Sequence, residues 1–210
     1  MVMKSTRDSP ILVTGAAGAI IGRNLTAMLL AKGHKVRALV RREDERADAL
    51  RRLGAEVVQG DLTDLTSMHR AIEGCARIYF GMSVSPAYLE ATVNTAAVAR
   101  HHGVEAFVNM SQMTVRQMSI TETTDSPQHK LHWLAEQALS WSGLPVVTVR
   151  RQSSWKASSC FSSLQVCATP TSWRCRWAPA RPRPSHRSTS RAQSRRSSTT
   201  RRRTSVASTI

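Results

Sequence analysis

Residues 152–210 contain neither aspartate nor glutamate. The 12 Lys and Arg residues of that stretch are therefore unopposed, whereas residues 1–151 hold 18 Lys and Arg against 14 acids, a net of +4. Of the formal charge of +16, +12 thus belongs to the tail. That division excludes reading the whole chain as a nucleic-acid protein. Cysteine is also scarce: Cys75, Cys160, Cys167 and Cys175 form no C-x-x-C pair. That rules out a disulfide framework or a paired-cysteine zinc site, and no metal site is expected. With no secretory leader pattern, a reduced, cytoplasmic setting is expected. No apolar run reaches the roughly 18–20 residues needed to cross a bilayer, so no membrane partner is expected. The arginine-rich part of the tail lacks aromatic interleaving, so specific nucleic-acid binding is not expected either.

What is present, up to residue 151, is alternation. Apolar runs at 11–15, 35–40, 55–61, 76–82, 105–112 and 145–150 read as strands. Helical patterns at 22–33, 43–54, 64–75, 87–103 and 126–143 separate them, several closed by glycine. Asp64 is the expected N-cap of the third helix and Ser126 that of the fifth, with Pro127 at its first position. Continuous apolar strands joined by helices imply a parallel sheet covered on both faces. The expected fold is α/β, a doubly wound, Rossmann-like parallel sheet over residues 1–151. Such sheets bind ligands at the carboxyl ends of their strands.

The residues at those ends carry the chemistry. After the first strand comes Val-Thr-Gly-Ala-Ala-Gly-Ala-Ile-Ile-Gly, with Gly15, Ala16, Ala17, Gly18 and Ile20 between strand and helix. A glycine turn opening a helix lets the backbone approach a pyrophosphate, and the helix N-terminus supplies free N–H groups. Arg41 and Arg42 follow the second strand. A guanidinium suits a ribose 2′-phosphate better than a diol, which favours NADP, with NAD also possible. Asp61 and Leu62 end the third strand where an adenine would lie, and Gly81 and Met82 end the fourth. His129, His132 and the pair His101-His102 have no carboxylate or thiol partner in the sequence and read as surface residues.

The order Thr14-Gly15-x-x-Gly18, then Ala38-Leu-Val-Arg41, then Gly60-Asp-Leu-x-Asp64, then Asn109-Met-Ser-Gln112 resembles the NmrA-like branch of the atypical short-chain dehydrogenase/reductases. The resemblance spans residues 10–151. It implies an NADP-linked oxidoreductase acting on quinones or related small molecules, or else a regulator that senses the cofactor without catalysis. Extended reductases of this kind pair a Tyr with a Lys four residues on and a Ser after the fifth strand. Ser111 and Lys130 match, and are the catalytic candidates the resemblance implies. Ser126 stands where the Tyr would be, so the usual acid–base route is missing its proton donor. The spacing to Gly22 is one residue longer than usual, which turns the helical face by about 100°. Gly22 is thus expected to serve helix packing less directly than Gly15 and Gly18 serve phosphate approach.

Residues 152–210 break this pattern. They hold 22 Ser and Thr, a composition that cannot bury a core, and no fixed fold is expected there. The resemblance implies a small substrate lobe at this place. Read two bases on, the possible codons of residues 152–161 yield VVLEGFFLF, in which the glutamate is forced by Trp155-Lys156. The tail therefore reads as frameshift-derived and the chain as written as inactive. The rival reading is a basic tail that binds nucleic acid without sequence preference.

Overall fold

The computed structural model describes residues 8–18, 20–152 and 164–168. Six strands alternate with five helices: β1 (Ile11–Val13), α1 (Ile20–Ala31), β2 (Val36–Val40), α2 (Glu45–Arg52), β3 (Glu56–Gln59), α3 (Leu65–Ile72), β4 (Arg77–Phe80), α4 (Tyr88–His101), β5 (Ala106–Gln112), α5 (Pro127–Trp141) and β6 (Val146–Arg151). All six strands pair in parallel, as expected. A seventh strand, β7 (Leu164–Ala168), adds antiparallel to β6. The full order is β3-β2-β1-β4-β5-β6-β7.

The β7 strand was not anticipated. It lies inside the stretch expected to have no fixed fold, and residues 153–163 and 169–210 of that stretch fall outside the described residues. The physical reason is local: Leu-Gln-Val-Cys-Ala is an uncharged, mainly apolar run within a polar tail, and β6 would otherwise be an edge with unpaired N–H and C=O groups.

Two apolar layers sandwich the sheet. On one face α1 and α2 pack on Val13, Val36, Ala38, Val40 and Tyr79. On the other α3, α4 and α5 pack on Leu12, Leu39, Ile78, Phe80, Phe107 and Val146. The β2 strand shows why its residues are chosen. Val36, Ala38 and Val40 face one layer, and the intervening Arg37 reaches the other side, where its Nη1 donates to the carbonyls of Ala71 (3.0 Å) and Glu73 (2.7 Å). Those carbonyls end α3 and have no partner within the helix.

Helix starts follow the expected chemistry in part. The Asp64 carboxylate accepts from the backbone N–H groups of Thr66 and Ser67, capping α3. Pro127 opens α5, but Ser126 makes no side-chain cap there. Helix α2 begins later than its pattern suggested, because Asp44 is its cap, accepting from Arg46 and Ala47. Among the described residues no helix is long and apolar enough to cross a membrane.

Candidate functional site

Strand order reverses its direction of growth between β1 and β4, leaving a crevice at their carboxyl ends. A cleft of about 530 Å³ lies there, walled by the segments that follow β1, β2, β3 and β4. Of the residues proposed from sequence to touch a cofactor, Gly15, Ala17, Gly18, Arg41, Arg42, Asp61, Leu62, Gly81 and Met82 all line it. Ala16 and Ile20 do not. Gly15 has a φ of +68°, and the turn it makes leads into a fully buried Ala16, packed beneath α1. Ile20, the first residue of α1, is 67% exposed.

The glycines divide their work differently from the expectation. A Cβ on Gly22 would sit 2.6 Å from the Gly15 carbonyl oxygen, so this glycine is the direct contact of α1 with the turn. The expectation of a less direct role is corrected: α1 starts at Ile20, two residues earlier than expected, which puts Gly22 in its first turn against Gly15. A Cβ on Gly18 would meet nothing within 4 Å. Gly18 is therefore not required by the protein's own packing, and its bare backbone faces the open cleft. The Thr14 hydroxyl donates to the Gly81 carbonyl (3.0 Å) and accepts from the Gly81 N–H (2.8 Å), holding the two lips of the crevice together.

Charge in the cleft is partly spoken for. Arg41 lies 3.5 Å from the Asp61 carboxylate. Two hydrogen bonds from Thr63, one from its N–H and one from its hydroxyl, hold Asp61 below the usual carboxylate range, and Arg41 adds to the effect. Arg46, a cleft residue that sequence reasoning missed, is bound through Nε and Nη2 to Asp44. Arg42 makes no ion pair among the described residues. It is the uncommitted guanidinium of the cleft.

Lys130 and Ser111 are not in this cleft. Lys130 lines a second, mostly apolar one with Pro127, Gln128, Leu131 and Leu134, and the two clefts share Val84 and Ser85. Ser111 is buried, and its hydroxyl donates to Glu136 (2.6 Å). Glu136 is held in turn by Arg150, through Nη2 at 2.6 Å. His132, expected at the surface, is only 5% exposed, with Nδ1 3.0 Å from the Tyr88 hydroxyl. Burial pushes its pKa down to about 4, helped by His129 and Arg151 and opposed by Glu136. Burial likewise raises that of Tyr88. Both groups are neutral near pH 7. No sequence pattern pointed to this pair, because its members are 44 residues apart on different helices.

A parallel doubly wound sheet with a glycine turn at the reversal point and arginines after β2 defines a dinucleotide-binding α/β protein. Residues 15–153 match the profile of the NAD(P)H-binding family, and the chain belongs to it. The (4-alkanoyl-5-oxo-2,5-dihydrofuran-3-yl)methyl phosphate reductase of Streptomyces griseus is 34% identical over 140 residues, 67% of this chain and 46% of that protein. The triphenylmethane reductase of Citrobacter sp., solved with NADP(H), superposes with a TM-score of 0.57 at 23% identity, over 68% of this chain and 49% of that one. An NADPH-dependent quinone oxidoreductase of Escherichia coli, solved with NADPH, gives a TM-score of 0.57 at 23% identity, over 67% and 48%. The chain spans less than half the length of each of these relatives.

Proposed function

We propose that residues 8–152 are the cofactor-binding part of an NADP-linked reductase of small molecules, quinones or related electron acceptors. The observation that carries this reading is the uncommitted Arg42 in a cleft that is also lined by the bare backbone of Gly18. The residues fit the group. Gly15 and Gly18 let a pyrophosphate approach the start of α1. Arg42, with Arg41 beside it, takes the 2′-phosphate. Asp61 and Leu62 border the adenine, Gly81 and Met82 the middle of the cofactor, and Lys130 and Ser111 its nicotinamide side. The cofactor would supply hydride. This chain's residues bind and orient it and exclude water along the crevice.

The neutral pair Tyr88 and His132 is buried, and Ser126 has no acidity to match a tyrosine. The chain therefore offers no exposed phenol as proton donor. That same observation favours a second reading, a cofactor sensor without turnover: the Ser111 hydroxyl is engaged by Glu136. Reductase activity is proposed for the chain with its frame restored after Arg151. The chain as written is proposed to bind cofactor without turning it over.

NADPH and NADH binding to the full chain, followed by nicotinamide fluorescence, tests the cofactor. Tighter binding of NADPH is expected, and equal affinities sink the NADP reading. NADPH oxidation with a quinone panel by the frame-restored chain separates reductase from sensor. Sequencing the gene tests the frame, and an in-frame gene with no missing base at codon 151 overturns it.

A further inference from the structure

His69 meets the adjacent pair His101-His102 at the end of the sheet away from the cleft. His69 is in the last turn of α3, His101 is the last residue of α4, and His102 caps that helix. Both helices run back from the cleft, so their carboxyl ends lie where β4 and β5 begin. The His102 Nε2 is 3.0 Å from the His69 Nδ1. The ring centroids are 4.7 Å apart for His69 and His102, 5.1 Å for His101 and His102, and 5.9 Å for His69 and His101. One ring nitrogen from each lies within 4.8 Å of the other two.

We propose that His69, His101 and His102 form a binding site for a zinc-class divalent ion that ties α3 to α4. Around a tetrahedral ion with metal–nitrogen distances of about 2.0–2.1 Å, ligand nitrogens stand about 3.3–3.4 Å apart. The closest pair, at 3.0 Å, has to open slightly to reach that spacing. The others need to close by an ångström or so, within reach of rotamer changes at His69 and His101, which are exposed.

The contact between His69 and His102 itself requires a bare nitrogen, since two N–H groups cannot face each other at 3.0 Å. One of the two nitrogens is thus bare and the other carries the proton; moving that proton to the far nitrogen of its ring, or losing it, turns both lone pairs to the ion. His102 is fixed by its backbone, which donates to the Val98 carbonyl at 3.0 Å. The C-terminal end of α4 favours positive charge, and the neighbouring Arg100 is drawn off to the Ser142 carbonyl (3.3 Å). Three imidazoles and no carboxylate select zinc, nickel or copper over calcium or magnesium, which need oxygen ligands. Water completes the coordination.

The test is Zn²⁺ binding to the full chain, untagged and with its thiols alkylated, by competition with a chromophoric chelator. His69→Gln and His101→Gln, both at exposed positions, are compared with His129→Gln, a histidine outside the cluster. One equivalent bound by the wild type and by His129→Gln is expected, weakened at least tenfold in each of the other two variants. The wild-type melting temperature should also rise with Zn²⁺ and fall back on adding a chelator, a readout that needs no variant. The proposal is overturned if the wild type binds no zinc. It is equally overturned if binding is the same in all three variants, or if His129→Gln loses as much as the others.

Discussion

The buried His132 makes folding stability depend on pH between about 4 and 6.5. Its folded pKa of about 4 lies below the ordinary 6.5, because burial beside the Tyr88 hydroxyl disfavours the charged ring. Between these values the unfolded chain holds a proton that the folded chain does not, so stability rises with pH across the window and is lost as pH falls through it. Taking 1.36 kcal/mol per pKa unit, the full window amounts to about 3 kcal/mol, of which about 2 kcal/mol is gone at pH 5. For a domain of this size that is a large share of the total. Glu136 faces the ring and opposes the shift, whereas His129 and Arg151 reinforce it. The depressed carboxyls Asp44, Asp61 and Asp64 have unfolded values near 3.8, so their contributions are lost only at lower pH. His102 is also depressed and adds in the same direction. The assay is urea unfolding at pH 7.5 and pH 5.0 for the wild type and for His132→Gln, whose amide cannot titrate but keeps a donor and an acceptor at this position. The variant should lose about 2 kcal/mol less than the wild type between the two pH values. Equal losses in both proteins would refute the assignment of the buried neutral ring.

Other expectations follow from the cleft and the helix caps. Arg42→Ala should weaken NADPH binding about tenfold or more with little change for NADH, and Arg41→Ala should do less because Asp61 already engages it; fluorescence titration with both cofactors decides, and equal losses for NADH would show that neither arginine reads the 2′-phosphate. Gly22→Ala should destabilise the fold by about 1–3 kcal/mol, since its new methyl meets the Gly15 carbonyl, whereas Gly18→Ala should leave the melting temperature unchanged and weaken cofactor binding. Asp64→Ala should cost about 1 kcal/mol in urea unfolding at neutral pH through the loss of two bonds to the start of α3.

The strands were legible because a parallel sheet buried on both faces has to be written in unbroken apolar runs, and glycine or a capping aspartate punctuates the helices between them. Helix α2 was started too early because its run was counted from Glu43, although of Glu43, Asp44 and Glu45 only Asp44 has the short side chain that caps a helix. Arg41, Arg42, Asp61 and the glycine turn were legible because they adjoin strand ends, where chain order alone gives position. The meeting of Tyr88 with His132, of Ser111 with Glu136, and of His69 with His101 and His102 was not. Each joins residues brought together by helix packing, and no local spacing encodes that. Strand β7 was missed because the tail's overall composition outweighed five uncharged residues within it.

The Thr14 hydroxyl has a mechanical consequence. Sheet pairing between β1 and β4 ends at Val13 and Tyr79, with the Thr14 N–H still donating to the Tyr79 carbonyl at 3.0 Å. One hydroxyl that both gives and receives a bond from Gly81 acts as an extra rung past the last pair of the ladder. Whatever enters between the turn after β1 and the segment after β4 therefore meets two stretches of backbone already tied to each other.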